Sequence, residues 1–366
     1  MKRNKISALY IHIPFCLTLC HYCDFPKLQY FRNYAEQYLV MLKKELDSYK
    51  IDKDLKTIYI GGGTPTVIDD DLFYKLLRMV EPYSKHVIDY TIESNPESLS
   101  ETKLKMMKDF GVTRISIGVE STNDNILKAI NRPHTFNDVK TAVLRAKKYG
   151  VKEINLDLII GLPNVSLGLL KADLANLLAL KVPHLSLYSL TVHPNTVFGI
   201  NRINPPSDDL SREYYDLVHD TLTKEGYVHY EISNFALKGH ESKHNFVYWK
   251  DEEYYGIGLG ASGYVNGIRY TNTKSIDEYL KGATIREKET VTLEDDKEYF
   301  IMLNLRTNLG IDLDLYREKF DEYLLAKRKN EIEEFVSLGY LKIVENKLIA
   351  TYSGMMILDQ IILKLI

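Results

Sequence analysis

Over residues 9–13, apolar and polar-capable side chains alternate in a run rich in β-branched residues, which Pro14 then stops; this is the pattern of a short strand. Residues 34–49 follow with Tyr38, Met41, Leu42 and Leu46 at helical spacing and charges between them. The two patterns go on alternating. Strands are predicted over 57–60, 88–92, 114–119, 153–160 and 184–190, and helices over 102–110, 139–149 and 167–180, the first two closed by Gly111 and Gly150. Strands and helices in such alternation predict a parallel α/β fold with right-handed crossovers.

Polar or small residues recur at the predicted C-terminal strand ends: Cys16, Gly62, Glu93, Glu120, Asp157 and Ser189. In a barrel-like fold that end carries the chemistry, so the six are expected around one mouth. Asp157 is the most telling, because it interrupts an apolar strand between Leu156 and Leu158, where an unpaired charge is costly. By alternation it faces the same way as Asn155, toward a lumen.

All three cysteines, Cys16, Cys20 and Cys23, lie in the loop after the first strand, spaced C-x3-C-x2-C. Thiolates are the usual ligands of iron–sulfur clusters, whereas a structural zinc takes four protein ligands. Three thiols therefore predict a 4Fe-4S cluster with one iron left open; the alternative is zinc with His21 as the fourth ligand. Three successive glycines, Gly61, Gly62 and Gly63, follow the second strand, where they can bring backbone close to a ligand or simply make a tight turn.

The composition changes the picture little. The 366 residues are 45% hydrophobic and 27% charged, with a net charge of -3, which gives no electrostatic reason to bind nucleic acid. Clustered thiols without partners elsewhere exclude a disulfide framework and fit a reducing, cytoplasmic setting. Lys2, Arg3 and Lys5 ahead of an apolar run that reaches a cysteine imitate a secretory leader, but His12 and Pro14 interrupt the run and Leu19 is too large for a cleavage site. No stretch has the ~18 apolar residues of a membrane span; peripheral membrane contact stays open.

C-x3-C-x2-C after a first strand, followed by G-G-G-T-P-T, resembles the radical S-adenosylmethionine (SAM) superfamily. With L-Y-I-H-I-P-F-C, C-H-Y-C-D-F, E-S-N-P-E, R-I-S-I-G-V, D-L-I-I-G-L-P, L-Y-S-L-T, H-Y-E-I-S-N-F-A and H-N-F-V-Y-W, the chain resembles the coproporphyrinogen-oxidase-like branch, and within it the HemW-type haem chaperones. The resemblance implies a partial (β/α)6 TIM-like barrel with a cluster on Cys16, Cys20 and Cys23. It implies SAM contacts from Tyr10, Tyr22, Gly62, Gly63, Thr64, Glu93, Glu120, Arg132 and Asp157. It also implies haem as a third cofactor and a haem-acceptor protein, a respiratory or other haem enzyme, as partner. Family members commonly have glutamine where this chain has Glu120, a change expected to weaken SAM binding. The related oxygen-independent coproporphyrinogen III dehydrogenases have a further cysteine where this chain has Phe25, and an extension ahead of the first strand where this chain has about seven residues. A radical SAM oxidoreductase of that kind is the alternative function.

The second half is expected to form an α+β extension over 201–290 behind a barrel domain over 1–200, with the prolines of 201–209 as linker. His244 lies in H-N-F-V-Y-W beside the only tryptophan, and the resemblance implies haem contact there; His219, His229 and His240 are nearby candidates. The glycine-rich 256–263 is expected as a loop near the adenosine end of SAM. Over 291–366, helices at 294–306, 316–330 and 331–338 precede two strands joined at Glu345 and Asn346, which predicts a small winged-helix-like module. Glu331, Glu333 and Glu334 argue against DNA as its partner.

Overall fold

A computed structural model describes residues 5–366; Lys2 and Arg3 of the leader-like pattern lie outside the described residues. The central sheet takes in strands β1 (Ala8–Ile13), β2 (Thr57–Gly62), β3 (Asp89–Ser94), β4 (Arg114–Glu120), β5 (Glu153–Ile160), β6 (His184–Ser189), β7 (Val228–Glu231), β8 (Asn234–Ala236) and β9 (Tyr255–Ile257). Its order is β9-β1-β2-β3-β4-β5-β6-β8-β7. From β9 to β6 every pairing is parallel, and β8 and β7 then turn back antiparallel. Among the described residues β9 and β7 do not pair, so the sheet is an open barrel.

The crossovers run through α1 (Arg32–Ser48), α2 (Asp70–Val80), α3 (Glu101–Asp109), α4 (Phe136–Lys148) and α5 (Leu167–Ala179). Alternation along the strands sorts the two sheet faces. Leu9, Ile11, Ile58, Ile60, Ile92, Ile115, Ile117, Leu156, Leu158 and Leu185 belong to the buried apolar core that the helices cover. The registered partners of the opposite parity are polar: Tyr10 with Tyr59, Tyr59 with Thr91, Glu93 with Ser116, Ser116 with Asn155, Gly118 with Asp157. A polar lumen inside an apolar shell is thus written into each strand.

The main core runs on past residue 200, taking in Tyr214, Val218 and Leu222 of α6 (Asp208–Lys224), Phe235 of β8 and Ile257 of β9. A second core, with Phe300, Leu305, Tyr316, Leu348 and Ile361, belongs to the C-terminal module. There Ile311–Asp312, Lys347–Ala350 and Leu341–Val344 make a three-stranded antiparallel sheet. Glu345 and Asn346 both take positive φ at its hairpin, which gives the expected helices-plus-hairpin shape. The single helix expected over 316–330 is instead two, Leu313–Phe320 and Leu324–Lys327, and the helix expected over 331–338 is Lys329–Ser337. Asp321 breaks the run by taking φ 51, a left-handed cap. No helix of the described residues is long and apolar enough to cross a membrane.

Candidate functional site

At the C-terminal ends of the parallel strands lies a cavity of about 390 Å3, within the roughly 300–1,000 Å3 usual for small-molecule sites. All six predicted strand-end residues line it: Cys16, Gly62, Glu93, Glu120, Asp157 and Ser189. So do Cys20, Cys23, Tyr22, Gly63, Thr64 and Arg132. Tyr59, Asn95, Ser116, Tyr188 and His193 also face it. The parity that puts Asp157 in the lumen was the available signal for Tyr59, Ser116 and Tyr188.

Backbone pairing closes the cysteine loop. Leu28 N–H donates to Pro14 O at 2.6 Å and Tyr30 N–H to Cys16 O at 2.8 Å, so the segment leaves and rejoins the barrel beside β1. The loop crown is held from outside: Asn131 Nδ2 donates to Leu19 O at 2.9 Å, and His21 Nδ1 lies 3.1 Å from Ala129 O. His21 therefore turns away from the thiols and does not line the cavity, which leaves a zinc site without its fourth ligand.

The three thiols all line the wall. Cys16 Sγ stands 3.8 Å from Thr64 Oγ1 and Cys20 Sγ 3.6 Å from Arg132 Nη1, while the Lys27 ammonium bonds to Cys23 O. A cubane takes each thiolate on a different iron, so three donors with no fourth cysteine suit a cluster that keeps one iron open. Burial pushes the Cys16 thiol up to about 12 and raises Cys23 as well. Holding both as thiolates calls for a strong local positive charge, which bound metal supplies.

The glycine run is fitted to this loop. Gly62 has φ 113, and a Cβ there would meet His12 Cε1 at 2.4 Å; at Gly63 one would lie 2.8 Å from Phe15 O and 3.0 Å from Cys16 Sγ. Gly62 N–H donates to Glu93 Oε2 at 2.8 Å, and Tyr59 Oη–H to Glu93 Oε1 at 2.7 Å. His12 Nε2 bonds to Pro26 O at 2.8 Å and its Nδ1 pairs with Tyr10 Oη at 2.9 Å, which ties the loop's exit to β1. Tyr10, expected among the SAM contacts, does not line the cavity; it lies beside its register partner Tyr59, with 6.0 Å between ring centroids.

Asp157 accepts from Ser116 Oγ and from Asn155 Nδ2, both at 2.8 Å. Burial and then the nearby Glu120 carboxylate push it up to about 7, so it gains or loses a proton near neutrality. Burial also raises Glu93. Arg132 is the buried cation among these acids. Its guanidinium donates to Asn95 Oδ1 at 3.0 Å and to Gly118 O, and lies 3.6 Å from Glu120 Oε1. Its Nε has no partner.

Two further expectations concern residues that do not line the cavity. His244 sits in the short helix Lys243–Trp249 near the opposite ends of the strands, fully buried. Its Nδ1 pairs with Thr57 Oγ1 at 2.8 Å and its Nε2 with Tyr248 Oη at 2.7 Å. The glycine-rich 256–263 begins as strand β9, not as a loop, and none of its residues lines the cavity. Its glycines serve packing: a Cβ at Gly256 would fall 1.8 Å from Ser262 O.

Residues 10–174 match the model of the radical SAM superfamily, and residues 291–357 that of the HemN C-terminal domain. Fold and cavity are thus those of a radical SAM protein. The chain is 42% identical over 328 residues to the haem chaperone HemW of Lactococcus lactis subsp. lactis, covering 87% of this chain and 86% of that one. It is 36% identical to HemW of Bacillus subtilis, covering 97% and 98%. Similarity of this extent places the chain in the HemW family. Its fold is also similar to that of the coproporphyrinogen III oxidase HemN of Escherichia coli, with TM-score 0.84 over 100% of this chain and 91% of that one, at 20% identity.

Proposed function

We propose that this protein is a haem chaperone: it holds a 4Fe-4S cluster with SAM on the open iron, carries haem, and hands it to an acceptor haem protein in the cytoplasm. Three thiols and five further strand-end residues around one cavity carry the reading, together with membership of the HemW family. Cys16, Cys20 and Cys23 would hold the cluster, which supplies low-potential electrons and a Lewis-acidic iron when bound. Gly62, Gly63 and Thr64 offer backbone and hydroxyl groups, and Glu93, Glu120 and Asp157 accept hydrogen bonds from ammonium and ribose groups. Tyr22 walls the cavity, and Arg132 is its cation for a carboxylate.

The oxidoreductase reading has less support. The fold likeness to coproporphyrinogen III oxidase extends to the fold alone, and the exposed Phe25 stands where those enzymes have a further cysteine. Hemin titration of anaerobically reconstituted protein, followed by transfer to an apo-haem protein, tests the proposal. Stoichiometric binding and transfer are expected. Conversion of coproporphyrinogen III to a vinyl product without haem binding would select the other function.

A further inference from the structure

Behind the cavity wall the lumen carries a second set of polar side chains. Ser116 of β4, Asn155 of β5 and His184 of β6 are register partners across three strands, and with Tyr230 of β7 they are buried. They form one hydrogen-bonded line that ends on Asp157. Tyr230 Oη stands 2.7 Å from His184 Nε2, and His184 Nδ1 2.6 Å from Asn155 Oδ1. Asn155 Nδ2 donates to Ser116 Oγ at 2.7 Å and to Asp157 Oδ1 at 2.8 Å, and Ser116 Oγ–H donates to Asp157 Oδ2 at 2.8 Å. Ser116 and Asp157 line the cavity, whereas Asn155, His184 and Tyr230 do not. Those three can act on a ligand only through the first two.

The line has a direction, and its far end sets it. Ser242 N–H, 3.3 Å from Tyr230 Oη, can only donate. Tyr230 Oη therefore accepts there, and His184 Nε2 is the acceptor left for its own proton among the described residues. Burial, and then the Arg114 guanidinium, keep His184 neutral, so its single N–H sits on Nδ1 and turns Asn155 Oδ1 toward it. The amide nitrogen of Asn155 is left to face Asp157. Both carboxyl oxygens thus receive a donor, which favours the ionised form.

The rest of the wall works the other way. Glu120 at the end of β4 and Glu93 of β3 bear on Asp157 as like charges, and Tyr59 of β2 and Tyr188 of β6 are its other titratable neighbours. The Arg132 guanidinium lies 3.6 Å from Glu120 Oε1. A protonated Asp157 would turn one acceptor into a donor, the wrong partner for an ammonium group.

We infer that His184, held by Tyr230 and working through Asn155, is a positioning residue that keeps Asp157 an acceptor for SAM. The inference rests on the SAM-binding part of the proposed function. The test is isothermal titration of SAM into full-length, cluster-reconstituted protein between about pH 5 and 9. Wild type, His184→Phe and Tyr230→Phe are compared, each with and without Asp157→Asn, and thermal unfolding checks the fold. His184→Phe should weaken binding about fivefold or more at neutral pH and move the acid limb of the pH profile up by about one unit. Tyr230→Phe, which removes a single hydroxyl, should move both in the same direction and carries the test if His184→Phe does not fold. In the Asp157→Asn background neither change should alter SAM affinity by more than about twofold. A wild-type profile in the folded variants, or an equal loss in the Asp157→Asn background, would overturn the inference and leave the proposed function standing. A reconstituted wild type that binds no SAM would overturn both.

Discussion

Arg132 Nη2 lies 3.6 Å from Glu120 Oε1, and both side chains are buried in the cavity wall. Glu120 reaches the cation from a left-handed backbone, φ 65, at the irregular end of β4 where the register with β5 shifts. The pair engages the one guanidinium that could meet the carboxylate of SAM, and it adds a third acid to Glu93 and Asp157.

Glu120→Gln should therefore release Arg132, keep the side-chain shape and lower the acid density. SAM should bind about three- to tenfold tighter to the reconstituted variant, by isothermal titration calorimetry. Weaker binding would mean that the negative charge of Glu120, beyond the hydrogen bonds a glutamine could also accept, holds the ligand.

Gly62 makes the tightest contact of the glycine run, since both its φ of 113 and the His12 ring of β1 exclude a side chain beside the cysteine loop that His12 ties down. Gly62→Ala should cost about 2–4 kcal/mol in urea unfolding and reduce cluster incorporation. Full iron loading at unchanged stability would show that the loop has slack.

His244 is structural in this fold, with both ring nitrogens paired inside the core. His244→Ala should lose about 3 kcal/mol of stability through a cavity and two orphaned hydroxyls. Hemin affinity of the folded fraction should stay within about twofold of wild type, since each 1.4 kcal/mol would be tenfold. Unchanged stability with lost haem binding would return the ligand role to His244.

Glu231 supplies a pH test away from the cavity. It is fully buried, and burial pushes its carboxyl from 4.5 up to about 8. With the folded value raised, the unfolded chain releases its proton first as pH rises. The contribution of Glu231 to stability is then fully present below about pH 4.5 and falls as pH climbs toward 8, by at most about 1.4 kcal/mol per unit. Urea unfolding at pH 5 and pH 8 should show a smaller drop for Glu231→Gln than for wild type; identical drops would contradict the assignment.

Much of the site was legible because it is local. Period-two strands ending at Cys16, Gly62, Glu93, Glu120, Asp157 and Ser189 need only parallel pairing to bring those residues together, and Asp157 between leucines declares a polar lumen. What was not legible depends on distant partners. Strand β9 looks like a glycine-rich loop until Tyr255, Gly256 and Ile257 pair with Leu9, Tyr10 and Ile11. The fate of His244 is decided by Thr57, 187 positions away. Tyr10 shares the parity of the site residues but pairs with His12 Nδ1 and does not line the cavity, which parity alone does not reveal. His193 follows a strand end as the others do, yet nothing in its neighbourhood marks it apart from the carboxylate of Asp24, which only the fold brings near.

The account stands on three thiolates holding a cubane whose fourth iron is free for SAM. Mössbauer spectroscopy of 57Fe-reconstituted wild type, with and without SAM, tests this most directly. The account predicts a 4Fe-4S spectrum in which SAM shifts the parameters of one iron site, and loss of that cluster in Cys16→Ala, Cys20→Ala and Cys23→Ala. A spectrum with no cubane, or a cubane that SAM leaves unchanged, would contradict it.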